Sequence, residues 1–384
     1  MPTPLPESAP CPLGAGPLQG QRWDLFCRVI DNHGDLGVNL RLARALVAAG
    51  AGVRLWCDDD RALSWMQPRC PAALSCLPWA QAEQAAPPQQ AADVVLETFG
   101  CELPLAYVQA MQARRLRGEP PVWINLEYLS AEDYVERSHG LASPQWSGAA
   151  AGLQKWFFYP GFTPRTGGLL REAGMVENAR ALRQQSGHPW LAQRGWAPQA
   201  GERVLSLFAY QPQALAELLQ ALPGPWLLLL CPGVAQQQAP ALLGPQQRAM
   251  ALPYLSHTDY DQLLASCDFN LVRGEDSFVR AHWADAPLLW HIYPQHDQAH
   301  AAKLQAYWQR ALAGADAQQQ ARWWALSQAW NGLAPWTDEA SAALAHLDAA
   351  AQQARHWRQQ LCAQADLLQQ LLNFVQQHRC ASAT

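Results

Sequence analysis

The 384-residue chain has no Cys-x-x-Cys pair, no spacing that suits metal ligands, no block of lysine or arginine, and no apolar run of membrane length. Each absence removes a class of function. Without a basic block, and with a formal net charge of −5 from 27 basic and 32 acidic side chains, the chain is not expected to bind nucleic acid. A mildly acidic surface still suits a basic protein partner. The ten cysteines are scattered, and several fall inside apolar strands. That is the pattern of buried free thiols in a reducing cytosol, so a cytoplasmic location is expected. The longest apolar run, Trp226 to Cys231, is far shorter than the roughly 20 residues a bilayer requires, so no membrane attachment is expected. Residues 1–20 are rich in Pro and Gly and lack the basic start and apolar core of a secretory leader. They are expected to form a disordered tail.

What is present is a globular composition, 49% hydrophobic and 15% charged, with length for two cores. Trp23 to Ile30 predicts a strand. Val38, Leu42, Ala45, Leu46 and Ala49 then fall at helical spacing, and Val53 to Cys57 predicts the next strand. This βαβ rhythm recurs at 93–97 and 122–126. Between 175 and 202 Gln, Gly, Pro and Arg dominate and the periodicity fades. A second series follows at 204–210, 226–231, 269–272 and 287–291. The expected fold class is α/β, with two parallel-sheet domains facing a cleft. The first spans 21–190 and is joined by a C-terminal helix at 364–384; the second spans 202–363. Such folds bind ligands at the carboxyl ends of their strands.

The most informative motif is Arg273-Gly274-Glu275-Asp276-Ser277, between an apolar strand and a helical pattern. Arg273, the Ser277 hydroxyl and the backbone N–H groups of a helix start suit a diphosphate. Two carboxylates in that turn would repel phosphate, and they fit a site that also meets hydroxyls or a cation. Arg280 is expected to pair with an acid. The loop Asp31-Asn32-His33-Gly34-Asp35 closes the first strand. It reads equally well as an Asx-turn with Asp35 as helix cap, or as a carboxylate at the cleft edge that takes a proton. His33 is expected to face solvent. Glu127 and Tyr128 should face the cleft. The aromatics from Trp156 to Phe162 read chiefly as core, and Gly167-Gly168 as a mobile cleft wall. Phe208, Tyr210 and Tyr254 could stack on a ligand base with His257 hydrogen-bonding to it, although plain packing of Phe208 and an exposed His257 fit as well. His291 reads as structural or functional alike; Gln295, Asp297 and Gln298 are further ligand candidates. The Trp-rich stretch 323–336 should pack the second domain.

Together DNHGDLG at 31–37, INLEYLSAEDYVERSHGL at 124–141, KWFFYPGFTPRTGGLLRE at 155–172 and RGEDSFVRAHWADAPLLWHIYPQ at 273–295 resemble the EarP family of protein-arginine rhamnosyltransferases. The resemblance runs from about 23 to 375. It implies the GT-B glycosyltransferase architecture of two Rossmann-like domains. It implies transfer of L-rhamnose from dTDP-β-L-rhamnose to one arginine of translation elongation factor P, with inversion at the anomeric carbon. By motif, Asp31, Asp35 and Glu275 match the family's acidic positions. Arg273, Gly274, Asp276 and Ser277 match the donor-diphosphate turn, Phe208 and Tyr210 donor-contacting aromatics, and Tyr254 an aromatic near thymine. His257 stands where the family has a base-reading glutamine, and His33 where a tyrosine is common.

A guanidinium is almost never deprotonated free in water, so it needs help to attack. The expectation is Asp35 as general base, Asp31 orienting the acceptor and Glu275 supporting. No metal or other cofactor is expected. Two rival readings are a GT-B enzyme with another acceptor, and a silent scaffold binding elongation factor P.

Overall fold

The computed structural model describes residues 17–31, 33–84, 91–185, 188–294 and 299–381. Asn32, Gln295, Asp297, Gln298 and most of the expected tail lie outside the described residues.

The first sheet comprises β1 (Arg22–Cys27), β2 (Gly52–Cys57), β3 (Leu74–Pro78), β4 (Val94–Thr98), β5 (Val122–Leu126), β6 (Ala142–Pro144) and β7 (Gln154–Phe158). Their order is β3-β2-β1-β4-β5-β7-β6, parallel except for β6. The second sheet comprises β8 (Arg203–Leu207), β9 (Trp226–Leu230), β10 (Gln247–Ala251), β11 (Phe269–Arg273) and β12 (Leu288–His291), all parallel in the order β10-β9-β8-β11-β12. Central strands β4, β5 and β9 are buried at every position, as their largely apolar sequences require when helices cover both faces; the exceptions are Glu97, Thr98 and Asn125.

The helices that bear on the site are α1 (Gly34–Ala48), α2 (Leu63–Met66), α3 (Met175–Gln184), α4 (Pro189–Gln193), α5 (His257–Ser266), α6 (Asp276–His282), α7 (Ala299–Ala311) and α8 (Leu367–Ala381). α8 returns to the first lobe, where Leu371 and Val375 join the core of α1 and β1. Helices α3 and α4 pack against α5 of the second lobe, and Trp190 and Leu191 lie in its core beside Val204 and Leu227. Helix α3 and Trp190, expected in the first domain, thus belong to the second lobe. The Gln- and Arg-rich composition of α3 reflects one exposed face of an amphipathic helix, not a linker.

The topology fixes where a ligand can sit. Among the parallel strands the order reverses at β1/β4 in the first sheet and at β8/β11 in the second. A crevice opens at the carboxyl edge of each such reversal. The loops after β1 and β11 carry the acidic motifs, and they face each other across the gap.

Candidate active site

The turn after β1 is held by its own acid. Asp35, in the first turn of α1 and only 3% exposed, accepts the N–H groups of Ile30 at 2.7 Å and Asp31 at 2.9 Å through Oδ2. Among the described residues no hydrogen bond reaches its Oδ1. Burial raises its pKa, partly offset by those two N–H groups. Asp31 faces the other lobe, where the Tyr210 hydroxyl donates to its Oδ2 at 2.6 Å.

The turn after β11 approaches closely. Gly274 has φ +61°, and a Cβ there would lie 2.6 Å from Asp31 Oδ2 and 2.8 Å from the Tyr210 oxygen, so the position demands glycine. Arg273 lays its guanidinium over the rings of Phe208 (4.1 Å) and Tyr210 (4.8 Å). Glu275 accepts the Leu129 N–H at 3.0 Å, and burial lifts its pKa to about 7 despite the opposing charge of Lys303 on α7. Asp35, Glu275 and Asp31 all act electrostatically on Tyr128, whose ring stacks on Phe99 at 4.2 Å. Phe99 has φ +57°, a strained backbone at the end of β4.

Two spaces follow, with Asp276 on the wall of both. One, with about 690 Å³ of open volume, is lined by Asp31, His33 and Trp65 from the first lobe and by Phe208, Tyr254, His257, Tyr260, Arg273, Asp276 and Ser277 from the second. The other, about 430 Å³, lies deeper and is lined by Arg41, Phe99, Glu127, Leu129, Glu275 and Arg280 among others. Asp35, Tyr210 and Gly274 are not among the residues that line either space.

The elongation factor P (EF-P) rhamnosyltransferase EarP family model matches residues 23–376. The chain belongs to the EarP family. A protein-arginine rhamnosyltransferase from Pseudomonas aeruginosa is 44% identical over 351 residues, covering 81% of this chain and 90% of that protein. One from Neisseria meningitidis is 36% identical over 313 residues, 75% and 78% of the two chains. A solved structure described as the structural basis for EarP-mediated arginine glycosylation of EF-P superposes with a TM-score of 0.65 at 31% identity, covering 93% of this chain and 99% of that one. The glycosyltransferase VinC, solved with dTDP, has a TM-score of 0.50 at 14% identity over 92% and 98% of the two chains, a likeness of fold alone. The two facing lobes are the GT-B arrangement, and this EarP-family chain is a glycosyltransferase enzyme.

Several expectations for this EarP-family site change in detail. His257 opens α5 and is 4% exposed, not on the surface; neither ring nitrogen has a hydrogen-bond partner among the described residues. Burial, reinforced by Arg41, Arg280 and Arg44, holds its pKa well below the usual value, so it is a neutral ring lining the pocket. Tyr254 is 55% exposed and packs on Trp65 at 4.7 Å, and His33 meets both rings edge-on instead of facing solvent. The Ser277 hydroxyl donates to the Arg273 carbonyl and accepts its N–H at 3.1 Å, so it shapes the turn. Gly167 and Gly168 are buried, one against Phe158 and the other against the Ala365 carbonyl; this is packed core and not a mobile wall. His291 is buried and accepts the Tyr210 N–H at 3.2 Å, a structural role. Arg280 pairs with Asp261 and Glu172.

Sequence reasoning missed Trp65, Tyr260, Lys303 and Arg41. Arg41 carried a readable signal: it falls three residues after Val38 and four before Ala45, on the apolar stripe of α1. Trp65 lies on a single helical turn that offers too few residues for a periodicity.

Proposed function

We propose that the cleft moves L-rhamnose from dTDP-β-L-rhamnose to one arginine side chain of elongation factor P, with inversion at the anomeric carbon, in the cytoplasm. The observation that carries this reading is that the first-lobe turn of Asp31 and Asp35 meets, through the Tyr210–Asp31 hydrogen bond, the second-lobe turn of Arg273 and Glu275, with Arg273 held on two aromatic rings. The names of the family and of its relatives support both the sugar and the acceptor.

The acceptor guanidinium is a fixed cation, and carboxylates are its natural partners. Asp31 and Glu275 orient it. As its nitrogen bonds to C1 and loses conjugation, the proton becomes acidic and passes to Asp35, anchored through Oδ2 and free at Oδ1. The C1–O bond to the diphosphate breaks on the opposite face, and its electron pair leaves with dTDP. Arg273 stabilises the charge that builds there, so no divalent ion is required. Neutral His257 offers one ring nitrogen as donor and one as acceptor to the base. The test is intact-mass and fragment spectrometry of elongation factor P incubated with the enzyme and dTDP-β-L-rhamnose in chelator. A single deoxyhexose on one arginine, with the α configuration by NMR, is the expected result. An unmodified factor, or a β linkage, would contradict it.

A further inference from the structure

Asp276 poses an electrostatic problem. It lines the larger space beside Arg273, where a diphosphate is proposed to sit, and its own charge would repel that ligand. The structure shows what opposes it. Arg41, from α1 of the opposite lobe and 1% exposed, places Nε 2.8 Å from Asp276 Oδ1, a charge contact whose N–H lies off the line. Its two terminal nitrogens grip Asp261 on α5, Nη1 to Oδ2 at 2.9 Å and Nη2 to Oδ1 at 3.0 Å. Asp261 is shared with Arg280, which also holds Glu172. Arg44, one turn along α1, acts on Glu172. Three guanidiniums thus face three carboxylates, and Arg41 is the one in contact with Asp276. Gly37 allows this approach: a Cβ there would meet the Asp276 carboxyl carbon at 3.4 Å.

We propose that Arg41 is a positioning residue that completes the donor diphosphate site from the acceptor lobe, by neutralising Asp276 and drawing its carboxylate away from the phosphates. This rests on the donor reading above. Two consequences follow. Without Arg41 one buried carboxylate is left uncompensated next to the ligand, which is costly where the dielectric is low. And because Arg41 reaches Asp276 only across the gap, the diphosphate site is whole only when the lobes are together. Donor binding and lobe closure are therefore coupled, and the coupling is reciprocal.

The experiment is a double-mutant cycle read by calorimetry with dTDP, each variant first shown to be folded by circular dichroism. Arg41→Met should weaken dTDP binding at least about tenfold, whereas Arg41→Lys, which keeps the charge, should stay within about threefold. The decisive arm is Asp276→Asn. With that carboxylate neutralised, adding Arg41→Met should cost less than about threefold relative to Asp276→Asn alone. A merely structural arginine would lose the same factor in both backgrounds. That result, or wild-type affinity in Arg41→Met, would overturn the inference. If Arg41→Met does not fold, a tenfold loss in folded Arg41→Lys would overturn it equally. Failure of the wild type to bind dTDP would instead sink the donor reading together with this one.

Discussion

Glu275 shows how much one side chain's surroundings can decide. Burial lifts its pKa from 4.5 to about 7. A carboxyl raised in the folded state costs nothing below its unfolded value. It destabilises the fold as pH climbs from 4.5 to 7, because only the unfolded chain ionises freely in that window. Glu275→Gln keeps an oxygen for the Leu129 N–H and removes the penalty. It should stabilise the protein by about 2 kcal/mol at pH 8, after a discount for its partial exposure, and be neutral near pH 4. Urea unfolding at both values checks this; an equal effect at both would contradict it. The roles of single residues were only partly legible beforehand. Arg273 and the three acids could be picked out because their types suit the chemistry. The engagement of Ser277 with its own turn was not, because a hydroxyl in sequence gives no hint of which partner it takes.

Elements were legible where their pattern is long. Strand β9 is an unbroken apolar run, β1, β5 and β11 are largely apolar, and α1 has a clear stripe. Strand β7 was hidden because Gln154 to Phe157 are only partly buried and its aromatics read as general core. β10 was hidden because it is a partly exposed edge strand. The seam between α8 and the loop after β7 carries a prediction at this scale. Gly168 has φ +70°, and an added Cβ would lie 2.6 Å from the Ala365 carbonyl. Gly168→Ala should cost about 2 kcal/mol by forcing the start of α8 away from the first lobe. Faster hydrogen exchange across 367–381, with the second lobe unchanged, is the expected sign. Unchanged exchange there would count against the seam. Leu371→Ala, which opens a hole in the same core, should cost about 3 kcal/mol in a melting experiment.

At the scale of the whole molecule, the directed contacts that join the lobes include Tyr210 to Asp31, Leu129 to Glu275, and Arg41 to Asp261. None could be read from sequence, since each links residues far apart in the chain. What sequence did convey was the alternation of strands and helices, and hence two sheets with one crevice each. Tyr210→Phe deletes one clasp and leaves Asp31 without that donor. It should lower stability by about 1 kcal/mol and weaken binding of the acceptor protein more than binding of dTDP. Paired titrations with elongation factor P and dTDP check the order; a larger loss for dTDP would reverse the proposed roles of the two faces.

The central claim is that an acid of the first lobe takes the proton while the donor is held chiefly by residues of the second, Arg273 foremost. Asp35→Asn tests it most directly, because the amide oxygen can still accept the Ile30 and Asp31 N–H groups and preserve the turn. One preparation should be measured twice, by dTDP calorimetry and by mass spectrometry of elongation factor P. The account requires dTDP affinity within about threefold of wild type and no detectable rhamnosylation. Near-wild-type turnover by Asp35→Asn would contradict it.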